Sequence, residues 1–359
     1  MVCNREDSMR RSEIDSESKD RVVETFYLET QDDLYFAVKG QEHPPERWIG
    51  VLRYTPDPQS GDRIKQGRAY RRLYRFREQE KWMGSAYLQY RSFDPVFNTT
   101  LQSVPRRLVR RIYDPRLRLQ EIAGAGVRSS IEEDALAFAR LLQKESGAPD
   151  TSLGITGSLL IGLHTDLSDL DLVVFGTRNC MAVYQTMQKL LAAESCRDVR
   201  RLNSQELEQL YIEQDADAGM SFQEFARHQS RKVNQGIFKE RFYFIRFIKD
   251  PEEIDLWYGD RCYHPLGRAS ITGWILDDQD AIFTPCRYLL SNAESADGSA
   301  LPNLKEIVSF RGRFCEQAKA GEKICADGTL ECVRDRRGKT WHRLLLGNSP
   351  HDRMVMQQR

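Results

Sequence analysis

The period of apolar and polar positions changes several times along this chain, and each change predicts an element. Early on, LYFAVKG (residues 34–40) and RWIGVLRYTP (47–56) alternate as strands do, joined by the proline loop QEHPPE. GRAYRRLYRF (67–76) continues the alternation, with aromatics set between arginines. Residues 91–120 read as irregular, because prolines break FDPVF, SVPRRLV and YDPRL. SSIEEDALAFARLLQKES (129–146) has helical spacing, with Ser129 or Ser130 as cap and Gly147 and Pro149 as terminators. Three more helices are expected in MAVYQTMQKLLAAES (181–195), NSQELEQLYIEQ (203–214, capped by Asn203 or Ser204) and SFQEFARHQSRKVNQ (221–235). RFYFIRFI (241–248), RASITGWIL (268–276) and AIFTPCRYLL (281–290) read as strands. Beyond them come short strands between glycine turns, the pattern of a small barrel or sandwich. No internal repeat is present.

One strand breaks the rule for buried strands. In GITGSLLIGLHTDLSDLDLVV (154–174), Asp169 and Asp171 interrupt a Leu/Val run, and Gly157-Ser158 stands ten residues ahead of Asp169. Two residues apart on a strand, the carboxylates share one face, roughly 6.5 Å apart along the chain, while Leu170, Leu172 and Val174 point into a core. Paired carboxylates can hold a divalent cation, and Mg²⁺ prefers oxygen ligands shared with substrate phosphates. Gly157 permits a tight turn and Ser158 can open a short helix whose free N–H groups would face an anion.

Gly157-Ser158, ten residues, then Asp169-Leu170-Asp171-Leu172 resembles the signature of the DNA polymerase beta-like nucleotidyltransferase superfamily, and SDLDLVVFG is similar to small prokaryotic nucleotidyltransferase domains. The resemblance implies an α+β fold, a mixed sheet flanked by helices. It also implies Mg²⁺ as cofactor, held by Asp169 and Asp171, an NTP bound at Gly157 and Ser158, and transfer of a nucleoside monophosphate with release of pyrophosphate. Superfamily members bring a third carboxylate from a later strand. RFYFIRFI carries Arg246 and no acid, leaving Asp255, Asp277 and Asp278 as candidates. Without a third acid, the alternative is a non-catalytic nucleic-acid-binding protein that retains the scaffold.

Length and charge refine this. A chain of 359 residues suggests two or three domains. The expected division is a polar, disordered tail (1–20), a β-rich basic module (21–120), a nucleotidyltransferase domain (121–290) and a small β-rich C-terminal module (291–359). The net charge is zero, yet residues 63–118 hold fifteen basic against four acidic side chains, and residues 1–33 ten acidic against five basic. Arginine outnumbers lysine 40 to 13, which suits bidentate phosphate recognition. The 63–118 region is therefore expected to form a basic face for RNA, with Tyr70, Tyr74 and Phe76 interleaved among Arg68, Arg71, Arg72, Arg75 and Arg77 either for base stacking or as core. The basic residues Arg227, Arg231, Lys232, Lys239 and Arg241 line either a phosphate groove or a solvated face; His164 reads as an incidental loop residue and His228 as helix surface. The eight cysteines, Cys3 and Cys196 among them, form no C-x-x-C pair and read as mostly buried thiols. With no membrane-length apolar run and no signal-peptide pattern, the chain is expected in the cytoplasm.

Overall fold

The computed structural model describes residues 22–74, 76–192, 198–214, 219–296, 298, 301 and 303–357. The tail, Cys3, Cys196, Arg75 and the side chains of Phe76 and Arg77 lie outside that description. Three sheets organise the α+β chain.

The N-terminal sheet has eight strands: β1 (Tyr27–Thr30), β2 (Tyr35–Val38), β3 (Arg47–Pro56), β4 (Arg63–Lys65), β5 (Arg68–Arg72), β6 (Arg91–Asp94), β7 (Thr99–Pro105) and β8 (Val109–Tyr113). Helix α1 (Phe76–Ala86) follows β5, where alternation had suggested continuing strand. The stretch read as irregular carries β6, β7 and β8: Pro95 sits in a turn and Pro105 at a strand end, where the missing N–H disturbs no ladder, and Pro115 opens the next helix.

Helix α2 (Pro115–Gly124), capped by Asp114, already belongs to the central unit. Gly154 on β9 (Leu153–Ile155) lies so near that a Cβ would stand 2.9 Å from the Pro115 carbonyl carbon. Helix α3 (Ser130–Ser146) opens on a capping box between Ser129 and Glu132 and ends at Gly147, φ 72°. After α4 (Gly157–Ile161) come β10 (Leu170–Phe175), α5 (Thr177–Ala192), β11 (Val199–Arg200), α6 (Ser204–Glu213) and α7 (Phe222–Gln229), then β12 (Gln235–Phe238) and β13 (Arg241–Ile248). The sheet order is β11-β12-β13-β10-β9, with β10 parallel to β13 and the other pairs antiparallel.

The two faces of this sheet have different partners. Leu170, Leu172, Val174, Tyr243, Ile245 and Phe247 pack against α3 and α5. Val173, Phe175 and Ile248 join Phe26, Leu28 and Phe36 in the core of the N-terminal module. Alternation therefore turns Asp171 toward the N-terminal module.

The C-terminal unit consists of β14 (Arg261–Asp277), β15 (Cys286–Ser295), β16 (Leu304–Ser309), β17 (Lys323–Asp335), β18 (Thr340–Leu346) and β19 (Arg353–Met356). Five of these run β14-β15-β16-β18-β17 and close as β17 pairs with β14, forming a barrel. The barrel begins at Arg261, not at 291, because β14 and half of β15, expected in the central domain, pair with barrel strands. No described helix is long and apolar enough to cross a membrane. The six described cysteines are unbridged: Cys180, Cys286 and Cys315 are buried, but Cys262 is exposed.

Candidate functional site

The site is built where β9 hands over to α4. Thr156 N donates to Asp171 O at 2.8 Å, which fixes the turn against β10. Gly157 then takes φ +66°, and a Cβ there would run into Oδ2 of Asp171, 3.0 Å from its Cγ. Only glycine meets both demands. Ser158 is buried, at 6% exposure, inside a helix of five residues; the backbone of Gly157, not the serine, faces the carboxylate. We expect Gly157→Ala to destabilise the fold by about 2–4 kcal/mol, combining left-handed strain with overpacking. Urea denaturation checks this; a loss below about 0.5 kcal/mol would show that the contact with Asp171 is unimportant.

Asp169 immediately precedes β10, and both acids are half-buried. The loop before them is stapled by Arg63, whose Nη1 donates to Thr165 Oγ1 at 2.8 Å and Ser168 Oγ at 3.2 Å. Burial, then the Asp171 charge, pushes the Asp169 carboxyl up to about 7, while Arg72 and Arg63 oppose this and Glu213 adds to it. Glu213, at the end of α6, is the acid that sequence reasoning missed, since nothing local links it to the motif. Near Asp169 stands Tyr74, 56% exposed, with the Arg72 guanidinium 3.9 Å above its ring. Arg72 Nε is buried without a hydrogen-bond partner. The donor set fits Mg²⁺, which takes one or two carboxylates and completes its shell with phosphate and water.

Among the described residues, none of the sequence-predicted acids joins the pair. Phe244 is the register partner of Asp171 on β13, so an aromatic ring occupies the neighbouring position. Asp255 is exposed in the loop after β13. Asp277 and Asp278 leave with β14 for the barrel, where Asp277 accepts from Gln279 N at 2.8 Å. Among the described residues no group of three or more metal-binding side chains occurs.

The other sequence-predicted residues have structural partners. Among the described residues, Arg63, Arg68, Arg71, Arg91, Arg110, Arg116 and Arg118 of the 63–118 region pair with carboxylates. Asp33 alone receives Arg68 and Arg110, so the acidic N-terminal stretch partly neutralises the basic one, and the expected basic face is broken up. Tyr70 is core, packed edge-on against Tyr35. His228 is not surface: it is 2% exposed, with Nδ1 3.0 Å from Gln317 O, and burial, then Lys232, holds its imidazole down to about 4. Arg231 pairs with Glu322, and Lys239 and Arg241 pair with Asp134, while Lys232 is buried. His164 lies beside Glu132 and Arg118, and burial lowers its pKa.

The chain is similar to an uncharacterized protein of Methanocaldococcus jannaschii, 28% identical over 330 residues, which span 90% of this chain and 94% of that protein. No family model matches the chain, and no solved structure matches it.

Proposed function

We propose that the cleft binds a nucleoside triphosphate with Mg²⁺ and transfers its nucleoside monophosphate to a hydroxyl acceptor, an RNA end or a protein side chain. The observation that carries this reading is the Asp171 carboxylate seated against the bare Gly157 turn, with Asp169 beside it. Bound Mg²⁺ would supply charge neutralisation on the triphosphate. Asp169 and Asp171 would hold it, Gly157 lets the Asp171 carboxylate sit close against the turn, and Arg72 offers charge-assisted donors beside the pair. Tyr74, backed by Arg72, presents a ring face on which a base can stack. A five-stranded barrel is also an architecture that presents oligonucleotides, so RNA is the acceptor to test first. Unbridged cysteines suit a reducing cytoplasm.

A second reading, nucleotide or nucleic-acid binding without transfer, is favoured by one observation: Phe244 stands beside Asp171 where a third acid would complete a two-metal site. The experiment is incubation with each α-labelled NTP, Mg²⁺ and total cell RNA. Label appearing on RNA or protein supports transfer. Nucleotide or RNA retained without label transfer supports the second reading, and neither nucleotide binding nor transfer overturns the first.

A further inference from the structure

Beyond Phe244, β13 places Arg246 on the same face as Asp171, opposite Val173 in the register. The barrel reaches this point through the loop after β16. A Cβ on Gly312 would lie 2.6 Å from Cζ of Phe244 and 3.6 Å from Nη1 of Arg246. The preceding Arg311 donates from Nε to Gly347 O at 3.2 Å. Phe310 packs on Gly40 of the N-terminal module, where a Cβ would stand 3.0 Å from Cε1 of the ring. Next to Gly40, Lys39 pairs with Glu24 at 2.5 Å. Arg53 of β3 approaches from the same module, 6.0 Å from the Tyr74 ring.

These cations feel one another. Burial, then Arg53 and Arg313, brings the Arg311 guanidinium down to about 10, with Arg246 adding and Glu24 opposing. Lys39 falls to about 8 through burial first, against Glu24, with Arg246 and Arg311 also lowering it. Arg313 is occupied by Gln214 O at 3.1 Å and Asp352 O at 3.4 Å. Lys39, Arg53, Arg246, Arg311 and Arg313 against Glu24 make five positive charges and one negative, a local excess of +4. The Arg53 and Arg246 guanidiniums lie over ring faces, Tyr74 at 6.0 Å and Phe244 at 4.9 Å. Buried or half-buried charges are ordinarily paired with opposite charge, so this junction is suited to an anion. Thr25 points the same way: beside Glu24 it holds φ 84°, rare for a β-branched residue, and its buried hydroxyl has no partner. Its carbonyl accepts from Thr156 Oγ1 at 2.6 Å, tying the junction to the Gly157 turn.

We propose that Arg53, Arg246 and Arg311, one from each module, form a polyphosphate site for the β- and γ-phosphates of the nucleotide whose α-phosphate lies at Asp169 and Asp171. The assignment rests on the transfer reading for the α-phosphate alone. Two residues along a strand span roughly 6.5 Å, a distance that a triphosphate bridges.

The test titrates inorganic tripolyphosphate, in chelator without Mg²⁺, into the full chain and its Arg53→Gln, Arg246→Gln and Asp171→Asn variants by calorimetry. Wild type should bind. Each arginine variant should bind about tenfold more weakly or worse, having lost a charge-assisted donor, while Asp171→Asn should bind no more weakly than wild type. Arg53→Gln gives up no hydrogen bond, so its fold should persist, and its unliganded thermal midpoint should match or exceed that of wild type. Equal binding by wild type and both arginine variants, or no binding by wild type, overturns the site. Displacement of tripolyphosphate by equal concentrations of RNA lacking a 5′-triphosphate also overturns it, in favour of a nucleic-acid backbone. Arginine-dependent tripolyphosphate binding without any labelled transfer upholds the anion site and discards the transfer reading alone.

Discussion

Asp171→Asn is expected to lower nucleotidyl transfer on the order of 10³-fold or more while the chain remains folded. Asparagine keeps the shape that fills the space beside Gly157 but removes a metal-binding charge, and charge neutralisation is what a phosphoryl-group reaction most needs. Asp169→Asn should lose comparable activity, with a clearer stability signature. In the folded chain the Asp169 carboxyl keeps its proton up to about 7, whereas in the unfolded chain it releases it near 3.8. Between those values the folded state binds more protons, so this group lowers stability as pH rises from about 4 to about 7. The Asn variant lacks that loss, so without Mg²⁺ its thermal midpoint should exceed that of wild type at pH 8 and approach it at pH 4. Added Mg²⁺ should raise wild type and leave both variants unmoved. The measurement pairs transfer with thermal denaturation on the same preparations, with Asp166→Asn as control. If both Asn variants unfold while the control does not, the acids are structural. If transfer persists in both, the chemistry lies elsewhere.

The sequence exposed the site through a conflict between neighbours: carboxylates at alternate positions of a strand whose other face is pure Leu and Val have no packing reason to be there. Gly157 was legible for a related reason, since a close turn before such a strand demands a residue without a side chain. The opposite wall was not. Arg53, Arg246 and Arg311 lie on β3, β13 and the loop after β16, and no local period relates them. Asp277 and Asp278 do not reach the site because β14, which looks like the next strand of the central sheet, finds its partners on β15 and β17. Helical spacing gives His228 a surface position, yet the barrel covers it through Gln317. Pairing between distant segments, which sequence periodicity does not encode, decided each of these.

That covering contact leads to the second large effect. Glu316→Ala should destabilise the chain by about 3–5 kcal/mol, the range expected when one partner of a buried charged group is removed. Glu316 is buried where the barrel meets the central unit, accepting from Val233 N at 3.2 Å and Asn234 N at 3.1 Å. Lys232 beside it is 1% exposed, with Nζ donating to Arg313 O at 2.6 Å. Burial raises the pKa of Glu316 and brings Lys232 down to about 8, so each pays for desolvation that the other's charge partly offsets. Truncation to alanine orphans two amides and leaves the lysine charge buried without its counterion. Glu316→Gln keeps an acceptor for the amides and should recover part of the loss. The same seam continues through His228 to Gln317 and from Gln317 Nε2 to Met354 O at 2.9 Å, so its failure should loosen the segment that begins at Arg311. Urea denaturation gives the magnitude, and amide exchange at Val233 and Asn234 gives the location. A loss under about 1 kcal/mol in Glu316→Ala, or unchanged protection of those amides, would mean that apolar contacts alone hold the barrel in place.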